Sequence, residues 1–385
     1  MTFPDDDIPV TVLAGAAAVG EVYGLLMELG VSRATVVCGQ RVASLDLLRS
    51  LVRGAPDGLS ISVYDLVEPD PSDTTCARGA EAARAAGAQA IIGLGGGSSM
   101  DAAKAIAAEV VRPGWTAAQE RPGEPTQIDF TPLPLLLVPT TAGTASEVTP
   151  FSVITYTKTK RKLVLGHPAL YARYALLDPQ LLGTCSDTVR VAAGMDALTH
   201  AIESCVSRQA TDQTRRRSLE SIGLVAPNLP RVVDNVGDMD AQEHLQRGAM
   251  IAGLAFSKSR LGIVHAMALP LSALFGVPHG VANAVLLPHG MAFNVLSDLE
   301  GFAAIAAAMG IDTASLDTEE AARSAVDAVE ALATRVGAPR RMSEVGVDES
   351  AIPRMAEDAM PSAHIACNPR QITMDDLIRV YEMAL

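Results

Sequence analysis

The chain has 385 residues, of which 49% are hydrophobic and 19% charged, and its formal net charge at pH 7 is −14. This length predicts two domains, and the acidic balance argues against a nucleic-acid partner, which needs a basic surface to displace counterions. The sequence has no apolar run long enough to predict a membrane span, and its acidic N-terminus lacks the pattern of a signal peptide, which predicts a cytoplasmic location.

In the first half of the chain, short apolar runs alternate with segments whose apolar residues recur at helical spacing. Strands are predicted at residues 34–38, 61–67, 90–94 and 133–138. Helices are predicted between them at residues 16–29, 43–52 and 76–86. Strands that alternate with helices of this length predict a parallel sheet covered by helices on both faces.

A glycine-rich turn follows the strand predicted at residues 90–94 and opens a helix. It consists of Gly95, Gly96, Gly97 and Ser98. Glycines let the backbone approach a phosphate closely, and a helix N-terminus offers unpaired N–H groups, so a pyrophosphate is the expected ligand. Because the turn is not the G-x-G-x-x-G fingerprint, a tight turn without a ligand stays open as the alternative.

A second polar turn, at residues 139–147, follows the strand predicted at residues 133–138. It lies at the carboxyl end of that strand, where open parallel sheets bind their ligands. Its hydroxyl groups could serve only as helix caps. Four of them in seven residues exceed what capping needs, so the turn is predicted to contribute to the ligand site.

The pattern changes after residue 185. Helices are predicted at residues 189–207, 218–233, 241–255, 299–309 and 319–336, and no strand is predicted among them. The change indicates an α/β domain at residues 1–185 followed by an all-helical domain at residues 186–385.

Four residues of the second half are candidate metal ligands. Asp196 and His200 are four residues apart in a predicted helix, so both side chains project from one face. His265 and His279 would stand about 20 Å apart on one helix, but a glycine and a proline between them let the chain fold back. Each residue alone is more often a core or hydrogen-bonded residue than a ligand. Together they match an open catalytic metal site.

These motifs resemble those of the iron-containing (group III) alcohol dehydrogenase family, whose fold is related to that of dehydroquinate synthase. The match covers nearly the whole chain and includes GGGSSMDAAK, PTTAGTASEVT, GMDALTHAIE and VPHGVANAVLLPHG. The resemblance implies an N-terminal α/β dinucleotide-binding domain with a parallel sheet and an all-α C-terminal domain, with a cofactor and a metal in the cleft between them. It also implies a metal-dependent, NAD(P)-linked oxidoreductase that interconverts a small alcohol and its aldehyde or ketone.

The resemblance also assigns site residues. It gives the metal to Asp196, His200, His265 and His279, which are the predicted catalytic residues, with ferrous iron as the usual metal and zinc as the alternative. The predicted cofactor-binding residues are Gly39, Arg41, Gly95, Gly96, Gly97, Ser98, Asp101, Thr140, Thr141, Thr144, Ser146 and Lys162. The predicted substrate-pocket residues are Phe151, Phe256, Leu269 and Cys367.

Three departures from the family pattern bear on specificity. Many members have a second histidine four residues after the third metal ligand, where this chain has Leu269, which implies a more apolar pocket. Gly39 and Arg41 stand where NAD-preferring members often carry an acidic residue, which favours NADP(H) unless Arg41 simply faces solvent. Lys258 and Arg260 replace residues that are usually neutral. They suggest an anionic substrate, but pairing of both with surface carboxylates is the preferred interpretation.

Related activities on the same fold stay open. They are a maleylacetate reductase-like activity, a hydroxyacid–oxoacid transhydrogenase activity and, with less support, a lyase of the dehydroquinate synthase type. The absent second histidine argues against the first of these. The expected partners are a small alcohol or aldehyde and further copies of the chain in a homodimer or larger homo-oligomer, without nucleic acid or membrane.

Overall fold

A computed structural model of the chain describes residues 2–3, 8–121 and 124–385. The chain divides into two compact units, the first comprising Met1–Thr141 and Ser146–Thr184 and the second Ala142–Ala145 and Cys185–Leu385. The acidic start of the chain, on which the expected cytoplasmic location depends, lies outside the described residues apart from residues 2–3. None of the described helices is both long and apolar enough to cross a bilayer.

The first unit alternates strands and helices. In chain order its elements are β1 (Thr2–Phe3), β2 (Thr11–Ala14), α1 (Val22–Glu28), β3 (Arg33–Val37), α2 (Gln40–Ala43), α3 (Asp46–Arg53), β4 (Ser60–Tyr64), α4 (Asp73–Ala85), β5 (Ala90–Gly95), α5 (Gly97–Val111), α6 (Trp115–Ala118), β6 (Leu135–Pro139), β7 (Phe151–Tyr156), β8 (Arg161–Gly166) and β9 (Tyr174–Leu177). The main sheet has seven strands in the order β1-β2-β9-β6-β5-β3-β4, and β7 pairs with β8 in a separate antiparallel hairpin.

Six strands of the main sheet are parallel, and only the edge strand β1 is antiparallel to its neighbour. Strands β5 and β6 are buried along their whole length, as expected for parallel strands that are covered on both faces. This confirms the predicted α/β class.

Alternate side chains of these strands contact helices on opposite faces of the sheet. On one face, Ile92 and Leu136 share a core with Leu26 of α1 and Leu51 of α3. On the other face α5 lies so close to the sheet that a Cβ added to Gly93 would come within 2.9 Å of the Ala103 Cβ. Strand β5 therefore leads into α5 on one face, while β3 leads towards α3 on the other.

Several predicted elements of the first unit need correction. The helix predicted at residues 43–52 is two helices, α2 and α3, because Leu45 between them is extended. The helix predicted at residues 16–29 begins as a 3₁₀ turn and becomes α-helical only at Val22. The strand predicted at residues 61–67 ends at Tyr64. Strands β1, β2, β7, β8 and β9 were not predicted.

The second unit is helical, and all of residues 185–385 are described. Its helices are α7 (Asp187–Val206), α8 (Asp212–Asp234), α9 (Met239–Ser259), α10 (Ile263–Phe275), α11 (His279–Asn294), α12 (Leu299–Ala308), α13 (Thr318–Arg335), α14 (Ile352–Ala359) and α15 (Met374–Ala384). No residue of this range is assigned to a strand, which confirms the all-α class of the C-terminal half. Helices α10, α11, α14 and α15 had no predicted counterpart.

The turn between α10 and α11 folds the chain back as the sequence predicts. Helix α10 ends at Phe275, and Gly276 follows it in the left-handed conformation, with φ of 66°. Pro278 then precedes the first residue of α11. Because glycine adopts positive φ without steric cost and proline is favoured at a helix start, these residue types specify the reversal.

Candidate functional site

Helix α7 supplies two of the four predicted ligands. Ser186 caps its N-terminus by accepting a hydrogen bond from the Val189 backbone, and the helix then runs without interruption through Asp196 and His200. Both side chains are buried, and the His200 Nε2 lies 3.9 Å from the Asp196 Oδ1. The spacing of four residues therefore places a carboxylate and an imidazole on the same buried face, as predicted.

The other two predicted ligands lie on α10 and α11. His265 lies in the first turn of α10, and His279 is the first residue of α11. Their Nε2 atoms lie 3.8 Å and 3.9 Å from the same oxygen, the Asp196 Oδ1. One ligand atom from each of these three residues lies within 4.8 Å of the others. A metal bonded at about 2.1 Å to each ligand fits ligand atoms spaced in this way.

The amide of Asn283 lies in the middle of this set. Its Nδ2 is 2.7 Å from the Asp196 Oδ1, 3.1 Å from the His265 Nε2 and 3.2 Å from the His279 Nε2. Its Oδ1 is buried and has no hydrogen-bond partner among the described residues. The Asp196 Oδ1 and the Nε2 atoms of His265 and His279 thus direct their lone pairs at the same amide nitrogen. One carboxylate and two imidazoles arranged in this way fit a divalent transition metal.

Glu203 orients one of the histidines. Its Oε2 lies 2.6 Å from the His265 Nδ1, and its Oε1 accepts a hydrogen bond of 2.7 Å from the Val264 backbone. The carboxylate is fully enclosed and also faces the N-terminus of α10. An acceptor at Nδ1 keeps the proton on that nitrogen, so the Nε2 lone pair of His265 points to the ligand set.

The site favours the protonation states that a metal requires. Burial lowers the pKa of His200, although Asp196 opposes the shift, and burial together with the neighbouring histidines holds the pKa of His265 well below its usual value. Burial alone would raise the pKa of Asp196, but the three histidines and Asn283 outweigh it and lower that pKa. At neutral pH the imidazoles of His200 and His265 are therefore neutral and the aspartate is ionised, as ligation demands.

Two further rings of the second unit lie beside the predicted ligands. The Phe256 ring stacks on His200 with 4.4 Å between centroids, and the His364 ring lies 6.1 Å from that of His265. Leu269 lies one turn after His265 on α10 and is half-buried. Cys367 is buried, and its Sγ contacts the Ala363 carbonyl at 3.6 Å.

Of the four predicted substrate-pocket residues, Phe256, Leu269 and Cys367 belong to the second unit and Phe151 to the first. Sequence reasoning missed Glu203, Asn283 and His364. Two of these had a usable signal. Glu203 lies seven residues after Asp196, two turns further along the same helix face, and Asn283 lies four residues after His279.

In the first unit, the two predicted ligand-binding turns are adjacent. Gly95 ends β5 with φ of 144°, and a Cβ on it would approach the Ser99 Oγ to 2.5 Å, so only glycine fits this turn. The Thr140 backbone donates to the Gly95 carbonyl at 2.9 Å, and Thr141 is the nearest neighbour of a Cβ placed on Gly96. The N-terminus of α5 follows directly, with its unpaired N–H groups.

Asp101 and Ser146, both predicted to bind the cofactor, are hydrogen-bonded inside the unit. The Ser146 hydroxyl donates to the Asp101 Oδ1 at 2.7 Å, and the Val153 backbone donates to the Asp101 Oδ2 at 3.0 Å. Lys104 is fully buried beside them, and its Nζ donates to the carbonyls of Ser146 and Phe151, at 2.6 Å in each case. These groups fix the hydroxyl-rich turn to α5, and a direct role toward a cofactor stays a prediction for Asp101 and Ser146.

Replacing Lys104 with methionine is expected to lower the free energy of unfolding by about 3–5 kcal/mol, because the partly buried Asp101 and the carbonyls then lose a cationic partner. Burial lowers the pKa of this lysine to about 8, so it is mainly charged at pH 7. Denaturant unfolding measures the effect. The exposed Lys158 provides the control, and equal stability of the Lys104→Met and Lys158→Met variants would contradict this role.

The remaining predicted cofactor residues lie in different surroundings. The Lys162 Nζ pairs with the Asp70 Oδ1 at 2.5 Å, and the Asp70 backbone donates to the Ser98 Oγ at 3.2 Å. Arg41 is exposed on α2, where its Nη2 donates to the Thr184 carbonyl at 3.2 Å. Thr144 belongs to the second unit.

Gly39 precedes α2, and a Cβ on it would come within 2.9 Å of the Val67 carbonyl. Local packing therefore accounts for this glycine by itself. The loop of Gly39 and the loop of Gly95 follow the neighbouring parallel strands β3 and β5, whose helices lie on opposite faces of the sheet. Such a point in an open α/β sheet is where ligands bind.

Known proteins match this chain over nearly its whole length. The family model described as iron-containing alcohol dehydrogenase matches residues 9–179, and the C-terminal model of the same family matches residues 190–385. Lactaldehyde reductase of Escherichia coli (strain K12) is 36% identical over 372 residues, which are 96% of each chain.

Two solved structures resemble it as well. That of 1,3-propanediol oxidoreductase superimposes with a TM-score of 0.91 at 33% identity and covers 97% of both chains. That of sulfoacetaldehyde reductase from Bifidobacterium kashiwanohense in complex with NAD⁺ superimposes with a TM-score of 0.88 at 27% identity, covering 98% of this chain and 97% of the other. All three relatives are reductases or oxidoreductases by name.

Proposed function

Since the chain belongs to the iron-containing alcohol dehydrogenase family, an oxidoreductase family, we propose that it interconverts a small alcohol and its aldehyde or ketone with a nicotinamide cofactor and a divalent metal. The observation that carries the proposal is the convergence of Asp196, His265 and His279 on one point. Ferrous iron is the first choice of metal and zinc the second, since the family name supports iron and the ligand types suit both.

Four side chains of the second unit would hold the metal. Asp196 supplies the only negative charge of the ligand set, and the imidazoles of His200, His265 and His279 supply neutral nitrogen atoms. When bound, the metal acts as a Lewis acid on the substrate oxygen and the nicotinamide carries the hydride.

Neighbouring side chains orient and shield the proposed metal ligands. Glu203 keeps the His265 proton on Nδ1, away from the ligand set. Phe256 covers one face of the His200 ring, which limits access of water to that ligand and strengthens electrostatic interactions inside the site. Leu269 exchanges no proton, so a proton reaches the substrate oxygen through water, the cofactor or a side chain elsewhere.

The cofactor would be held by the first unit. The glycine turn at Gly95 and Gly96 leaves room for a pyrophosphate, and the first N–H groups of α5 point to it. The adjacent Thr140–Thr141 turn supplies further hydroxyl groups. This placement is supported by the position of both turns at the carboxyl edge of the parallel sheet.

NADP(H) is the proposed preference, and Arg41 is the residue that tests it. Replacing Arg41 with alanine is expected to raise the KM for NADP(H) about tenfold and to change the KM for NAD(H) less than twofold, because one charge-assisted contact to the 2′-phosphate is lost. Steady-state kinetics with both cofactors measure this. Arg49, exposed on α3 and paired with Asp46, gives the control variant. Equal turnover of both cofactors by the unmodified protein at matched low concentrations would contradict the preference.

The proposed substrate is a small alcohol or aldehyde, and an anionic aldehyde is the narrower candidate within that class. Lys258 and Arg260 support the anionic form, and one structural relative is named for an aldehyde that carries a sulfonate. A cytoplasmic location and a homodimer or larger homo-oligomer are part of the same proposal, and light scattering of the purified protein tests the second.

The experiment that tests the activity is a screen of alcohols and aldehydes with NAD(H) and NADP(H) on metal-reconstituted protein. Net oxidation of NAD(P)H by at least one small aldehyde is expected. A protein that turns substrate over without exchanging free cofactor would instead be a transhydrogenase. A protein with bound metal and no redox turnover would contradict the proposal.

A further inference from the structure

Asn283 faces the proposed metal ligands from the start of α11. It lies one turn after His279 on the same face of the helix. The first turn of α11 packs tightly against α7, because a Cβ on Gly280 would come within 2.4 Å of the Ala192 carbonyl oxygen. Helix α11 therefore cannot move away from Asp196 without losing this packing. The Asn283 side chain is fully buried, so its amide can leave the ligand atoms only by rotating.

The atoms around the Asn283 Nδ2 are hydrogen-bond acceptors. The Asp196 Oδ1, at 2.7 Å, belongs to a carboxylate whose pKa is lowered by the histidines and by this amide. The His265 Nε2, at 3.1 Å, carries a lone pair because Glu203 keeps the proton of that ring on Nδ1. The His279 Nε2 lies 3.2 Å away. An amide oxygen at this point would face the lone pairs of Asp196 and His265, so the network requires the nitrogen there.

The other end of the same amide has no anchor. The Asn283 Oδ1 is buried and has no hydrogen-bond partner among the described residues. A buried acceptor without a donor costs free energy, so the position of this amide is determined by its nitrogen alone. The amide can therefore turn about the Cβ–Cγ bond without breaking any hydrogen bond other than those to the ligand atoms.

A metal and the Asn283 amide use the same lone pairs. A lone pair that accepts an N–H cannot bond to a metal at the same time, and the amide hydrogen atoms carry the same sign of charge as the cation. Metal binding therefore displaces the amide nitrogen. Until then the amide gives the buried Asp196 carboxylate a charge-assisted hydrogen bond. Without it, buried acceptors would lack a donor, which is costly inside a protein.

We propose that Asn283 is a placeholder for the metal, whose amide saturates the ligand atoms of Asp196, His265 and His279 in the metal-free protein and turns away when the metal binds. The inference rests on the proposed metal site and adds to it a residue that sets how tightly the metal is held. Asn283 stabilises the metal-free protein and, because the metal must displace its amide, weakens the metal affinity.

The test compares Asn283→Ala with the unmodified full-length chain after removal of metal from both. Zn²⁺ is the probe because it has no redox chemistry, and competition with a chromophoric chelator gives its Kd. Asn283→Ala is expected to lower the Kd for Zn²⁺ about tenfold, which corresponds to about 1.4 kcal/mol. The Tm of the metal-free variant is expected to fall, and saturation with Zn²⁺ to raise its Tm by more than that of the unmodified protein.

Two further variants distinguish a placeholder from a packing residue. Asn283→Asp keeps the size of the side chain, and at pH 8 its ionised form cannot donate. It is expected to lower the metal-free Tm and to lower the Kd for Zn²⁺ at least as far as Asn283→Ala does. Asn228→Ala is the matched control, because Asn228 is a buried asparagine of α8 that donates to the Leu224 carbonyl at 2.8 Å. It is expected to lower the Tm equally with and without Zn²⁺ and to leave the Kd within twofold.

Two results would overturn the inference. One is an unchanged Kd for Zn²⁺ in Asn283→Ala together with the same change of Tm with and without the metal, which would make Asn283 a packing residue. The other is a raised Kd, which would mean that Asn283 supports the bound metal. In both cases the unmodified protein still binds Zn²⁺, so the proposed function stands. An unmodified protein that binds neither Zn²⁺ nor Fe²⁺ would instead contradict the proposed metal site itself.

Discussion

Replacing Asp196 with alanine is expected to lower kcat/KM by at least about 10³-fold, since a Lewis acid contributes several kcal/mol of charge stabilisation. Asp196 lies at the centre of the ligand set, because all three histidine Nε2 atoms lie 3.8–3.9 Å from its Oδ1. It is also the only carboxylate among the four, so its loss leaves a divalent cation facing neutral nitrogen atoms alone.

Metal analysis distinguishes this effect from misfolding. The Asp196→Ala variant is expected to bind less than one tenth of the metal of the unmodified protein under the same dialysis conditions, with its helical circular dichroism unchanged. Asp327, exposed on α13, gives a matched control that should keep both metal and activity. Retention of full metal by Asp196→Ala would contradict the assignment of this residue.

The second large effect is expected at Glu203, which contacts the predicted ligand His265 at Nδ1 and is not itself a predicted ligand. Replacing Glu203 with glutamine is expected to weaken metal binding about 10–100-fold, as the loss of a carboxylate behind a ligating histidine typically does. The glutamine amide has one acceptor oxygen where the carboxylate has two. Either His265 therefore loses the acceptor that keeps its proton on Nδ1, or the Val264 N–H loses its hydrogen-bond acceptor.

Two measurements make Glu203 testable as a positioning residue. Isothermal titration of the metal-free protein gives the affinity, and denaturant unfolding gives the stability of the same sample. Glu203→Ala should also cost about 2–4 kcal/mol of unfolding free energy, because buried N–H groups then lack a partner. Glu220→Gln, in an exposed pair with Arg247, is the control. If Glu203→Gln lost stability but kept its metal affinity, a structural role alone would remain.

The sequence predicts the fold best where burial is uniform. Strands β5 and β6 are covered on both faces, so they appear as continuous apolar runs, and helices such as α7 carry long apolar faces. Strands β7 and β8 form a two-stranded hairpin that is half-exposed, and β2 and β9 have four residues each. Short or half-exposed strands leave too weak a pattern for single-sequence reasoning.

The sequence likewise predicts only part of the candidate site. Residue type and spacing indicate Asp196, His200, His265 and His279, because few other roles combine those residues. Glutamate and asparagine are common on helix surfaces, so the spacing of Glu203 from Asp196 and of Asn283 from His279 is a weak signal, and their buried contacts become evident only in the packed structure.

For the hydroxyl-rich turn at residues 139–147, the sequence pattern predicts more ligand contacts than the structure supports. Its hydroxyl groups are conspicuous in the sequence, yet the Ser146 side chain bonds to Asp101 inside the unit.

The central claim is that Asp196, His200, His265 and His279 hold one divalent metal. Anomalous diffraction from crystals of the metal-reconstituted protein, recorded at the iron and zinc edges, tests it most directly. The account predicts a single strong peak about 2.0–2.3 Å from the Asp196 carboxylate and from the Nε2 atoms of the three histidines. A fully active crystal batch with no peak among these four side chains would contradict it.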